Sequence, residues 1–226
     1  MLIAMMCALL LAYSSCTEII SPDISGETLT ILSPVDSLHT DDTDISFWWE
    51  LSEDVEQYQL RLTSGNTGNI SLLLDTLMTA NAVVFTLDPD HVYNWQLRGK
   101  NEGSETVWET GTFILDQTSP DKATALRMNG DTLNTGATDT IQWQSVDFPI
   151  DNLALPVRDS LILYRKNDST TVGARIFFGE YEARELPITS TSPTPLNGAG
   201  TYYWKVVSTD RAGNRNESAQ FKFTVQ

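Results

Sequence analysis

The chain has 226 residues, of which 41% are apolar and 9% aromatic, with six Trp and two Cys. This composition excludes a disordered or collagen-like polymer and predicts a globular protein of one large or two ordinary domains. Thirty acids against 14 bases give a net charge of −16 at pH 7. That charge argues against DNA or RNA as partner, because nucleic-acid affinity rests on neutralising phosphates with Lys and Arg. The excess is confined to one half: residues 1–121 hold 19 acids and three bases (Arg61, Arg98 and Lys100), whereas the remainder has 11 of each. An acidic first half provides a solvated face, or attracts a cationic or calcium-bridged partner.

Met1 to Ala12 is an unbroken apolar run, too short to cross a bilayer as a helix, and reads as the hydrophobic region of an export signal. Tyr13-Ser14-Ser15-Cys16 places two small residues before a cysteine. This resembles a bacterial lipoprotein signal (residues 1–15), which implies lipidation at Cys16; a plain secretory cleavage after Ser14 or Ser15 is the alternative. Cys7 lies inside the removed segment, so Cys16 is the only thiol of the mature chain and no disulfide is available within it. Residues 16–27 show no hydrophobic period and contain Ser21-Pro22 and Ser25-Gly26, which predicts a tether.

From Leu29 onward, short alternating segments rich in Val, Ile, Thr, Tyr, Phe and Trp recur between Gly, Pro, Asn and Asp clusters. The pattern predicts an all-β protein. Strands are expected near 29–32, 45–50, 58–63, 70–75, 83–87, 92–99 and 110–115, and again near 125–128, 139–144, 160–165, 174–178, 185–188, 201–209 and 220–225. The two sets match as one module written twice. Ile45-x-Phe47-x-Trp49 parallels Asp139-x-Ile141-x-Trp143, 94 positions on. Leu87-x-Pro89-x-x-x-Tyr93-x-Trp95-x-Leu97 parallels Leu196-x-Gly198-x-x-x-Tyr202-x-Trp204-x-Val206, 109 positions on. Alternation puts Tyr93, Trp95 and Leu97 on one face, and likewise Tyr202, Trp204 and Val206. The unequal offsets imply ~15 extra residues in the second unit, placed at 148–157 and 186–199.

At these residues the chain resembles fibronectin type III and related bacterial immunoglobulin-like domains, of which a Trp in the second strand and a Leu-x-Pro-x-x-x-Tyr corner are marks. The resemblance implies two tandem seven-stranded β-sandwiches, at 28–116 and 122–226, joined by a linker at 117–121 in which Pro120 limits bending. Thr209-Asp210-Arg211-Ala212-Gly213-Asn214 is similar to the Asp-x-Ala-Gly-Asn hairpin of tandem bacterial surface repeats, with Gly213 and Asn214 expected at positive φ. Five Asp-[Ser/Thr]-apolar triplets, at Asp36, Asp75, Asp131, Asp139 and Asp159, resemble the O-glycosylation sequon of exported Bacteroidota proteins, and equally fit a turn entering a strand.

Chemistry is sparse. His39 and His91 are the only histidines, with no His or Cys at ligand spacing, and phosphate-loop, dinucleotide and nucleophile-elbow motifs are missing. No catalytic residue, cofactor or metal site is expected. Asp41-Asp42-Thr43-Asp44 invites a calcium reading, but Phe47 stands where an EF-hand loop needs Gly, and turn chemistry suits the Thr-Asp pair better. Aromatic residues off the core face are the binding candidates: Trp48, Trp108, Phe177, Phe178 and Tyr181. The sequence thus predicts a non-catalytic lipoprotein of the bacterial outer membrane or cell surface, acting on a protein of the envelope in adhesion or assembly. The alternative is a glycan-binding accessory of polysaccharide uptake, since Leu29-Thr30-Ile31-Leu32-Ser33-Pro34 with the following Trp strand resembles the N-terminal domains of starch-utilisation outer-membrane binding proteins.

Overall fold

A computed structural model describes residues 21–65, 68–167, 170–180, 182–190 and 198–226. Among the described residues the chain is all-β. The first unit runs β1 (Ile31–Ser33), β2 (Leu38–Thr40), β3 (Asp44–Trp49), β4 (Gln57–Ser64), β5 (Ser71–Met78), β6 (Ala82–Thr86), β7 (His91–Lys100) and β8 (Glu109–Leu115). The second runs β9 (Thr124–Arg127), β10 (Thr132–Leu133), β11 (Thr138–Gln144), β12 (Arg158–Asn167), β13 (Thr170–Phe178), β14 (Glu185–Thr189), β15 (Gly200–Thr209), β16 (Arg215–Glu217) and β17 (Phe221–Val225).

In the first unit a three-stranded sheet, β1-β3-β6, packs on a five-stranded sheet, β2-β8-β7-β4-β5. The second repeats this order as β9-β11-β14 on β10-β17-β15-β12-β13, with β16 added to β15. Both are therefore sandwiches of the fibronectin type III layout. All fourteen expected strands are present, and three more join them: β2, β10 and β16. These are two or three residues long, too short for an alternating pattern to be read in sequence. The chain leaves β1 on one sheet and enters β2 on the other, where β2 runs parallel to β8; β10 runs parallel to β17 in the same way.

Alternation places the core. Ile45, Phe47 and Trp49 of β3 are buried with Tyr93, Trp95 and Leu97 of β7 in one cluster. Ile141, Trp143, Tyr202, Trp204 and Val206 occupy the second cluster. Tyr93 stacks on Phe113 at 5.1 Å, and Tyr202 on Phe223 at 5.5 Å, so the duplication extends to ring pairs. Gly111 lies opposite Trp95, and a Cβ there would meet the indole at 2.5 Å. A larger residue would collide with a ring that the core already holds.

The tyrosine corners are duplicated too, with a shift of one residue. Tyr93 Oη donates to the Asp88 carbonyl at 2.7 Å, and Tyr202 Oη to the Gly198 carbonyl at 2.7 Å. Gly198, which replaces the proline of the first unit, sits at φ +87°. Burial pushes the Tyr93 hydroxyl up to about 12, so it stays a donor at any physiological pH. Removing each hydroxyl leaves a carbonyl unpaired, so Tyr93→Phe and Tyr202→Phe should each cost about 1 kcal/mol in urea unfolding. A loss below the error of that measurement would show that the corner bond adds nothing to stability.

The expected tether at 16–27 needs correction. Residues 1–20, Cys16 among them, lie outside the described residues, but from Pro22 the chain is docked on the first sandwich. Ile24 is fully buried and its N–H donates to Ser104 Oγ at 2.9 Å, while the Pro22 carbonyl accepts from Asn101 Nδ2 at 2.8 Å. Ile24 is the one aliphatic residue between Pro22 and Glu27, too little for a period to show, yet with these hydrogen bonds it seats the segment.

Candidate functional site

The five candidate rings do not converge. Trp48 is 52% exposed on the outer face of the three-stranded sheet, opposite Ala82, with exposed Val84 two residues further along β6 on the same face. Trp108 is half-buried, with the guanidinium carbons of Arg61 and Arg98 at 4.7 and 4.4 Å from its ring centroid. Those guanidiniums come from β4 and β7 of the five-stranded sheet, so Trp108 serves that sheet rather than standing free. In the second sandwich Phe177 is 72% exposed, while Phe178 packs edge-on against Trp143 at 4.8 Å and belongs with the core. Tyr181 lies outside the described residues. Phe178 is thus corrected from platform to core, as strand alternation demands once Phe177 faces solvent.

Asp41 to Thr43 bend into β3, which Asp44 opens. Asp42 Oδ1 accepts the Asp44 N–H at 3.0 Å, and Asp44 Oδ1 accepts from Thr86 Oγ1 at 2.7 Å. One of these oxygens is taken by a turn N–H and the other by a cross-strand hydroxyl.

The residues that do converge lie where the two sandwiches meet. The lengthened loop at 148–157 does not hang free: its Ile150 and Leu155 form a small buried cluster with Val92 and Ile114 of the first sandwich. Asp151 Oδ2 in that loop accepts the Val92 N–H at 2.8 Å and stands 3.5 Å from His91 Nδ1. The linker is fastened from both sides. Asp90 takes the Gln117 N–H at 2.9 Å and the Thr118 hydroxyl at 2.8 Å, while Asn214 and Asn216 donate their side-chain amides to the carbonyls of Asp116 and Pro120.

Beside this seam three carboxylates gather. Asp116 follows β8, Asp147 lies in the loop after β11, and Asp210 opens the hairpin between β15 and β16; one carboxyl oxygen of each lies within 4.8 Å of the others. Each is held by backbone donors on one oxygen. Asp116 Oδ1 accepts the Thr118 N–H at 2.9 Å, Asp147 Oδ1 the Phe148 N–H at 2.9 Å, and Asp210 Oδ1 the N–H groups of Gly213 and Asn214 at 2.7 and 2.9 Å. The second oxygens of Asp147 and Asp210 are sealed from solvent with no donor among the described residues. Burial, opposed by the Thr118 N–H, pushes Asp116 up to about 6, with the charges of Asp210 and Asp90 adding. Burial likewise drives Asp147 up to about 7, and Asp116, Asp210 and Asp121 add to it. Gly213 takes the hairpin's positive φ, +102°, alone; Asn214 is not at positive φ and uses its side chain to bridge the linker.

In the sequence Asp210 stands out as part of the Asp-x-Ala-Gly-Asn hairpin and Asp116 only as the residue before the linker, while nothing marks Asp147.

No protein-family model matches the chain, and no curated protein sequence matches it. Among solved structures, the fibronectin(III)-like modules of CbhA from Clostridium thermocellum are similar over 88% of this chain and 93% of theirs, at 13% identity and a TM-score of 0.42. The FN1-FN3 domains of chicken CNTN1 are similar over 90% of this chain and 67% of theirs, at 12% identity and a TM-score of 0.37. The fibronectin type III layout of both units stands on their own strand order and paired tyrosine corners.

Proposed function

We propose that the protein is a non-catalytic module of the bacterial cell envelope, anchored by lipid at Cys16 and engaged in protein interaction. The observation that supports a protein partner is β5. It ends the five-stranded sheet, pairs with β4 on one side, and carries exposed Leu72, Leu73 and Leu77, with exposed Ile70 just before it. An open strand edge lined with apolar side chains can take up a partner strand through main-chain hydrogen bonds. Beside it a shallow groove of about 800 Å³ is lined in part by Arg61, Ile70, Asn94 and Gln96. From Cys16 to the docked Pro22 the chain can reach at most about 22 Å, so a lipid at Cys16 would keep the first sandwich close to the bilayer.

Glycan binding is the second reading, favoured by the exposed indole of Trp48. Two measurements separate these readings. A photo-crosslinking residue placed in cells at Leu73 or Leu77 should give an adduct of defined mass that the same residue at exposed Leu126 does not, and Leu72→Lys should abolish it. Equal labelling at all three positions would overturn the β5 reading. Calorimetric binding of a polysaccharide that is lost in Trp48→Ala but kept in Leu72→Lys would establish the glycan reading instead.

A further inference from the structure

We propose that Asp116, Asp147 and Asp210 form a calcium site that locks the two sandwiches together. Acidic residues gather on many surfaces without a ligand, but this group is built differently. Asp210 is only 1% exposed, and its Oδ1 is fixed by two backbone N–H groups while its Oδ2 has no donor. Asp147 Oδ2 is sealed and unpartnered as well, and Asp116 is buried. A buried carboxyl oxygen without a partner costs free energy that a folded chain ordinarily avoids. Two such oxygens beside a third buried carboxylate call for a positive charge.

The chemistry selects the ion. The donors are all carboxyl oxygens, which suit hard cations, and no His or Cys is among them. Calcium binds oxygen at roughly 2.3–2.6 Å, so ligands on opposite sides of one ion stand about 5 Å apart at most. The three oxygens, within 4.8 Å of one another, fit inside one such shell. Calcium accepts six to eight oxygens in irregular geometry, so backbone carbonyls or water can complete the shell, whereas magnesium demands a tight octahedron. The ligands come from three separate places: the end of the first sandwich and two loops of the second. A bound ion therefore joins the parts whose relative placement decides where the second sandwich points. Its effect adds to the apolar contact of Val92 and Ile114 with Ile150 and Leu155.

The test uses the purified protein stripped with EDTA, with calcium chloride as the ligand at constant ionic strength, because a strongly acidic chain gains stability from any salt. Calorimetry should find one calcium per chain, with a dissociation constant of about 10⁻⁴ to 10⁻³ M as in extracellular modules, and calcium should raise the unfolding temperature where equal magnesium raises it less. Asp210→Asn and Asp147→Asn keep an oxygen to accept the hairpin and loop N–H groups but remove one ligand charge each. Both should weaken calcium binding on the order of tenfold or more, the least that loss of even an outer-shell partner costs a metal site. If Asp210→Asn fails to fold, the half-buried loop variant Asp147→Asn decides. No calcium-dependent shift at 10 mM, about tenfold above the weakest such sites, or a shift that both variants retain, would overturn the site.

Discussion

Replacing Arg184 by Met is expected to destabilise the second sandwich by about 3 to 5 kcal/mol, because it strips a buried carboxylate of its counter-charge. The Asp159 side chain has no exposed surface, and its Oδ2 receives Arg184 Nε at 2.7 Å, Trp143 Nε1 at 2.8 Å and the Ser145 hydroxyl. Arg184 also donates to the carbonyls of Gly179, at 2.7 Å, and Glu182, at 2.9 Å, and to that of Val157, so it ties the start of β12 to the turn before β14. Methionine fills much of the space and restores none of those bonds. Urea unfolding would check the loss, and the double variant Asp159→Asn/Arg184→Met should recover part of it, since the charge left behind is what costs most. A single-variant loss under about 1 kcal/mol, the scale of an exposed ion pair, would mean that water reaches the carboxylate.

Trp49→Ala and Trp143→Ala should each cost about 3 to 5 kcal/mol, but in different sandwiches. Trp49 packs against Tyr58 at 5.3 Å and its Nε1 has no acceptor among the described residues, so its side chain contributes by packing. Trp143 contacts Phe178 and Trp204 and also binds Asp159, so its loss opens a cavity and removes a donor from a buried charge. Its variant should be the more damaged of the two. Because the cores are separate clusters, joined by the small apolar seam and a few polar ties, differential scanning calorimetry should show the injured sandwich melting first. Joint melting in both variants would show instead that the seam is strong enough to make the pair one cooperative unit.

What could be read from sequence depended on how local its cause is. The inward Trp and Tyr positions follow from a period of two, and both cores bear this out. The short strands β2 and β10 have no such period and are stabilised by their parallel neighbours β8 and β17. Exposure of a single ring depends on what lies over it. Trp48 is open as alternation predicts, but nothing near Trp108 in sequence announces that Arg61 and Arg98 cover it. Asp116, Asp147 and Asp210 are 31 and 63 positions apart and meet only because the linker and two loops end at the same corner. The added loop at 148–157 was legible as an insertion, whereas its use as a wedge against Val92 and Ile114 was not.

The parallel pairing of β2 with β8, and of β10 with β17, bears on how the protein withstands mechanical force. When a sandwich is pulled by its two chain ends, β1 and β9 are drawn from β3 and β11, and the tension then falls on β2 against β8 and on β10 against β17. When those strands are parallel, tension slides one along the other, so the ladder bonds resist together. An antiparallel hairpin pulled from its two free ends would unzip one bond at a time. Leu38–Thr40 against Phe113–Leu115, and Thr132–Leu133 against Thr224–Val225, are thus small shear clamps, one in each sandwich. Their few residues add little to equilibrium stability, yet under tension applied at the chain ends they are the ladders that bear load once β1 and β9 have come away from β3 and β11.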